Sequence, residues 1–242
     1  MPGAATVPGV CNFRRYEVRQ AVMLSDTSDE EGEDMKPIKN IIFDMGNVLM
    51  YFSPKTYIER QGITDPADFA LLMREIFQKV EWIQLDRGII TMDYAVEVIT
   101  ARLPERLRQD AEDIFRGWWK GPIMPVPGME ELIKELKGLG YGMYMLSNAN
   151  GSLNTYAPRI PGTEYLDGRL VSADWGMLKP EREIFEKLAE LFDLDLGECV
   201  FIDDSSVNIE GAIRAGLQGI VFHDDITELR QELNLLGVPV KA

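Results

Sequence analysis

Histidine and cysteine are almost missing from this chain of 242 residues: there is one histidine, His223, and there are two cysteines, Cys11 and Cys199, near opposite ends. With no Cys-x-x-Cys pair, the usual zinc-site and disulfide-scaffold patterns are excluded. A Ser-His-Asp or Cys-His mechanism would have to use His223, whose setting, Val221-Phe222-His223-Asp224, suits a strand-end or loop histidine without catalytic duty. Long apolar runs are also missing. Nothing approaches the ~18 residues of a spanning helix, and the N-terminus lacks the charged-then-apolar order of a signal peptide, so a cytoplasmic location is expected. Basic residues are scarce, 25 against 40 acidic, for a formal charge of −15. Such a surface repels phosphate backbones and anionic lipid at long range, and neither nucleic acid nor membrane is expected as a partner. Small anions are different, because a metal ion and a few aimed donors reverse the potential inside one cleft.

What is present is an ordinary globular composition, 45% hydrophobic and 27% charged, in a chain long enough for a domain plus an insertion. Residues 1–36 stand apart. They open with small residues, Pro and Gly, and end in the acidic run from Ser25 to Asp34. That composition cannot bury enough apolar surface to offset its ordering entropy, and a disordered acidic tail is expected. Residues 1–34 hold seven acids and three arginines, a net of −4, leaving −11 for the rest.

From Ile38 the chain becomes rhythmic. The runs Ile38 to Asp44, Tyr141 to Ser147 and Glu198 to Asp203, with a shorter Gly219 to Phe222, suit strands buried on both faces of a parallel sheet. Helical patterns lie between them: Gly128 to Leu139, Glu181 to Phe192, and Asn208 to Ala215 with Gly216 placed as a C-cap. The alternation predicts an α/β fold, a Rossmann-like doubly wound parallel sheet, with its crevice at the carboxyl ends of the strands. Residues 53–124 break the rhythm. Phe69, Leu72, Ile76 and Phe77, then Tyr94 and Val98, then Ile114, Phe115, Trp118 and Trp119 recur at helical spacing. We expect an all-helical cap here, inserted into a core made of 37–52 and 125–242 and bounded by a Pro/Gly-rich exit at 122–128.

Four strand-end and loop features follow in order. Asp44 lies in Phe43-Asp44-Met45-Gly46-Asn47-Val48-Leu49, Ser147-Asn148 ends the second strand, Lys179 lies in Leu178-Lys179-Pro180-Glu181, and Asp203-Asp204 precedes Asn208-Ile209-Glu210-Gly211-Ala212. Each alone fits a cap or a turn. Together they resemble the haloacid dehalogenase superfamily of hydrolases, over roughly Ile38 to Phe222, and most of all its phosphatases with a small helical cap. The first motif and Asp86-Arg87-Gly88-Ile89-Ile90-Thr91 are similar to the bacterial α-D-glucose-1-phosphate phosphatase group.

The resemblance implies hydrolysis of a small phosphorylated metabolite, such as a sugar phosphate, by a monomer or homodimer. It makes Asp44 the nucleophile that forms an aspartyl-phosphate, with Mg2+ held by Asp44, the Gly46 carbonyl and Asp204. Asp203 is implied as a further metal-site acid or a partner for Lys179, which neutralises charge. Ser147, Asn148 and Asn47 would bind the phosphoryl group. In the cap, Arg87 is a candidate for substrate binding, beside Asp86, Trp82 and the Trp118-Trp119 pair, and the loop Asn148 to Gly151 is a candidate wall.

One position departs from the pattern. Most phosphatases of this superfamily carry a general acid and base two residues after the nucleophile, where this chain has Gly46. Such help is typically worth ~10²–10⁴ in rate, so slow turnover of alkyl phosphates is expected. A sugar 1-phosphate, with its more acidic anomeric oxygen, would suffer less. The alternatives are a catalytically degenerate binding or regulatory protein on this scaffold and, further off, a haloacid dehalogenase, which would leave the paired acids unexplained.

Overall fold

A computed structural model describes residues 36–241; the acidic tail expected over 1–36 lies outside them except for Lys36. Five strands form one wholly parallel sheet: β1 Asn40–Phe43, β2 Gly142–Ser147, β3 Gly168–Val171, β4 Cys199–Asp203 and β5 Gln218–Val221, in the order β3-β2-β1-β4-β5. β4 is buried at all five positions, as a strand covered on both faces must be. Three of the expected strands and the shorter fourth are present, and β3 is an addition. Its four residues, Gly-Arg-Leu-Val, are too few to carry a period.

The chain leaves β1 toward β2 on one side and returns to β4 on the other. The change of direction opens a crevice at the carboxyl ends of β1 and β4. Five α-helices make up the insertion after β1: α1 Pro54–Glu59, α2 Pro66–Leu72, α3 Val80–Asp86, α4 Met92–Ala101 and α5 Glu105–Gly117, with a π-helical turn at Met73–Phe77. Their starts are written locally. Ser53 and Asp65 accept main-chain N–H groups and are each followed by proline, and Thr91 caps α4. The buried face of α4 is Ala95, Val96 and Ile99. The spacing had pointed to Tyr94 and Val98, but Tyr94 is exposed. Inside this helical insertion, Arg102 at the end of α4 ties Glu75 (2.8 Å) to Glu81 (2.7 Å).

The remaining helices flank the sheet: α6 Met129–Gly138, α7 Leu153–Tyr156, α8 Arg182–Phe192, α9 Ser206–Ala215 and α10 Ile226–Leu235. Gly216 ends α9 in the left-handed conformation (φ 109), as expected of that C-cap. The two segments joining insertion and sheet run side by side, with Tyr51 N donating to Met124 O (2.8 Å) and Val126 N to Leu49 O (3.1 Å). Ser172, just after β3, donates its hydroxyl to the main-chain oxygen of Asp86 at the end of α3 (2.6 Å). Gly88 follows at φ +74, where an added Cβ would stand 2.2 Å from the Ala173 carbonyl oxygen. Only glycine lets the insertion approach so closely. Among the described residues, no helix is long and apolar enough to cross a membrane.

Candidate active site

The crevice holds a cavity of about 160 Å³ lined at its sheet end by Asp44, Gly46, Asn47, Ser147, Asn148, Lys179, Asp204 and Asn208. A larger open depression of about 670 Å³ on the insertion, between Gln61, Gln109 and Arg116, shares no residue with it and contains none of the buried carboxyls of the described residues.

Asp44 leaves β1 into this cavity and is 8% exposed. Lys179 reaches it from the loop before α8, with Nζ 2.8 Å from Asp44 Oδ1 and 2.7 Å from Asp203 Oδ2. The third ammonium proton goes to the main-chain oxygen of Leu146 (3.1 Å), so all three donors are occupied. Below it lies the Phe201 ring, 5.1 Å from Nζ. Burial raises the Asp44 carboxyl to about 6, against the pull of Lys179 and with help from Asp203. Burial works against the Lys179 charge as well, but the two carboxylates outweigh it and hold its pKa above the usual lysine value.

The paired acids have separate surroundings. Asp203 is fully buried and accepts from Lys179, from Ser205 N (2.8 Å) and from the Asn208 amide (3.0 and 3.1 Å). Asp204 is exposed, and its one side-chain hydrogen bond among the described residues comes from the Asn47 amide (2.9 Å). One carboxylate oxygen from each of Asp44, Asp203 and Asp204 lies within 4.8 Å of the others. That is a spacing a hard divalent cation can bridge. With Asp203 saturated by donors, Asp44 and Asp204 are the carboxylates with oxygens to offer, and the backbone of Gly46 lines the cavity beside them.

Asn47 and Asn148 use their side chains on the protein itself. Asn47, at φ 55, accepts Phe52 N (3.1 Å) while donating to Asp204. Asn148 grips the Lys179 backbone from both ends, accepting its N–H (2.8 Å) and donating to its carbonyl (3.0 Å). Ser147 is buried at the cavity wall, and among the described residues its hydroxyl has no protein partner. Arg87 faces elsewhere. It pairs with Glu181 and donates to the Gly176 carbonyl (3.3 Å), joining the insertion to the loop that carries Lys179, and it is not among the lining residues.

The far wall is aromatic: Phe52, Trp82 and Trp118 from the insertion and its entry, and Tyr156 from α7. Their ring centroids lie 5.1 Å (Phe52–Trp118), 5.6 Å (Phe52–Trp82) and 5.3 Å (Trp118–Tyr156) apart. Trp119 stacks on Tyr156 (5.9 Å) outside the lining. Asp86, 8% exposed, and Asn150 complete the wall. Burial pushes the Asp86 carboxyl up to about 8, although the Asn150 main chain and side chain and the Trp82 side chain bond to it. The contributions of Phe52 and Tyr156 have no signal in the sequence, because Phe52 lies in a linker and α7 is four residues long; Asn208 belongs to the motif that follows Asp203-Asp204, which gave it no role of its own.

A family model described as haloacid dehalogenase-like hydrolase matches residues 38–216. The chain is 28% identical over 202 residues to the sesquiterpene phosphatase astK of Aspergillus oryzae, covering 82% of this chain and 97% of that one. It is 22% identical over 184 residues to flavin mononucleotide hydrolase 1 of Arabidopsis thaliana, covering 73% of this chain and 71% of that one. A solved HAD-family enzyme from Bacteroides thetaiotaomicron, in complex with magnesium and inorganic phosphate, has a TM-score of 0.57 and 24% identity, covering 79% of this chain and 98% of that one. That likeness shows the fold.

Proposed function

The chain belongs to the haloacid dehalogenase-like hydrolases, and on that premise we propose that it is a cytosolic, Mg2+-dependent phosphomonoesterase working through an aspartyl-phosphate on Asp44. The observation that carries this is the buried Asp44–Lys179–Asp203 chain at the floor of a small cavity, with Asp204 beside it. A phosphomonoester brings close to two negative charges, which an attacking carboxylate meets only if they are compensated. Asp44, Asp204 and the Gly46 carbonyl are the oxygen donors that would hold Mg2+, and the ion supplies that compensation when bound. Lys179 has no proton left over for phosphate and instead orients Asp44 and keeps one charge beside it. In this reading the Ser147 hydroxyl and the main chain around Asn148 donate to the phosphoryl oxygens. The helical insertion acts as a cap that excludes water from the reacting centre.

The aromatic wall bears on the alcohol half of the substrate. Phe52, Trp82, Trp118 and Tyr156 favour an apolar or planar group there, and the two relatives are by name a sesquiterpene phosphatase and a flavin mononucleotide hydrolase. We therefore rank esters of such alcohols above sugar phosphates. A sugar 1-phosphate is the second reading, favoured by Asp86 and Asn150, whose polar atoms suit sugar hydroxyls.

The test is a panel of phosphomonoesters with Mg2+ and with chelator, run beside Asp44→Asn. Turnover that needs both Mg2+ and Asp44, fastest on isoprenoid or aromatic esters, supports the proposal. Faster turnover of sugar 1-phosphates selects the second reading. Folded protein with no turnover of any ester favours a binding protein on a hydrolase scaffold, and release of halide from a haloacid favours a dehalogenase.

A further inference from the structure

The position two residues after Asp44 is Gly46, so the first motif supplies no side chain to protonate a departing alcohol. Space is not the reason. Gly46 has an ordinary backbone conformation, and an added Cβ would meet only Phe52 Cβ at 3.8 Å. Three side-chain carboxyls line the cavity. Asp44 is paired with Lys179, and Asp204 is held by Asn47 in the acid trio. Asp86, the third, has no cationic partner among the described residues, since neighbouring Arg87 is engaged with Glu181.

We propose that Asp86 is the general acid of this site, the carboxyl that protonates the leaving oxygen in place of the side chain absent at Gly46. The proposal rests on the phosphomonoesterase reading above. Asp86 comes from the last turn of α3, and its main chain is pinned to Ser172 (2.6 Å). It lines the same cavity as Asp44, of about 160 Å³. A phosphoryl group seated on Asp44 has its ester oxygen directed into the cavity whose wall includes Asp86. Burial of the Asp86 carboxyl outweighs the hydrogen bonds from Asn150 and Trp82 and favours its protonated form, the state a general acid requires. The titratable groups facing it are Tyr156 from α7, whose hydroxyl burial keeps neutral, and Asp44 across the cavity. A buried carboxyl without a cation lowers stability, and packing alone offers no return for it.

The chemistry balances. An Asp44 oxygen attacks phosphorus, the bond from phosphorus to the alcohol oxygen breaks, and that oxygen takes its electron pair and the Asp86 proton. Asp86 is left as carboxylate. Water then attacks the aspartyl-phosphate, the bond from phosphorus to Asp44 breaks and the water's proton passes to bulk solvent, while Asp86 takes its proton back from solvent, giving inorganic phosphate and the starting enzyme.

The experiment compares p-nitrophenyl phosphate, whose leaving group needs no proton, with a primary alkyl phosphate, in wild type and Asp86→Asn at saturating Mg2+. The expected result is a loss of about 10²–10⁴ in kcat on the alkyl ester with less than about tenfold change on the nitrophenyl ester. The double variant Gly46→Asp/Asp86→Asn is expected to regain alkyl turnover. In wild type alone, alkyl turnover should fall as pH rises through about 8 while nitrophenyl turnover does not, a readout that needs no variant to fold. Equal losses on both esters, or none on either, would overturn the role of Asp86 and leave the phosphomonoesterase reading intact. Wild type that hydrolyses neither ester overturns both.

Discussion

The side-chain amide of Asn47 donates to Asp204 at 2.9 Å, joining the loop after β1 to the loop after β4 across 157 positions of sequence. The left-handed backbone at Asn47 (φ 55), which asparagine tolerates better than most residues, aims that amide at Asp204. Asn47 is thereby a positioning residue for the carboxylate that would hold the metal. Asn47→Ala is expected to raise the Mg2+ concentration for half-maximal activity by about 10–100-fold, with kcat at saturating Mg2+ changed much less. Activity titrated against Mg2+ checks this, and an unchanged midpoint would remove the role.

Lys179 is the only cation touching Asp44 or Asp203 among the described residues. Lys179→Met leaves both carboxylates buried and uncompensated, and breaking such a pair costs about 3–5 kcal/mol. Denaturant unfolding should show that loss, and turnover should be abolished. A variant as stable as wild type would mean that the two acids find other compensation.

Asp86 links the site to stability. Its carboxyl ionises near 3.8 when exposed and near 8 in the folded chain. Between those values the folded state keeps a proton that the unfolded state has released, so this group makes stability fall as pH rises from about 4 to about 8, and contributes no further change above that. Asp86→Asn should flatten that decline and raise the melting temperature at pH 8 by roughly 2–4 °C, the equivalent of about 1 kcal/mol for a domain of this size. Melts of both proteins across pH check the sign. A variant that melts lower at pH 8 would contradict it.

Gly211 in α9 is set by the loop that delivers Lys179. A Cβ there would stand 2.5 Å from the Pro180 carbonyl oxygen and 2.6 Å from its Cβ. Gly211→Ala should cost about 1–3 kcal/mol by overpacking and lower kcat by moving Lys179. Thermal melts and turnover measured together test the coupling, and wild-type values for both would show that the loop absorbs the change.

The sheet was legible because Ile41, Ile42 and Phe43, and Cys199 to Ile202, are apolar runs too short for helices and buried on both faces. Its edge was not, since β3 offers only Leu170 and Val171 as buried residues. The chemistry-bearing residues were legible where a strand end places them. Asp44, Ser147, Lys179 and Asp204 line one cavity. What each side chain bonds to was not legible, because that depends on contacts between distant loops. Asn148 holds the Lys179 backbone, and Arg87 reaches Glu181, 94 positions away. Of the aromatic wall, Trp82 and Trp118 were candidates from the sequence, while Phe52 and Tyr156 were hidden for the same reason, being separated by the whole insertion.

The most direct measurement is to trap the covalent intermediate on Asp44. Protein mixed with Mg2+ and p-nitrophenyl phosphate, quenched in acid and digested, should carry an acyl phosphate on the peptide containing Asp44, absent from Asp44→Asn. Turnover by wild type with phosphate on no peptide, on a peptide elsewhere, or persisting in Asp44→Asn would contradict the assignment of Asp44 as nucleophile.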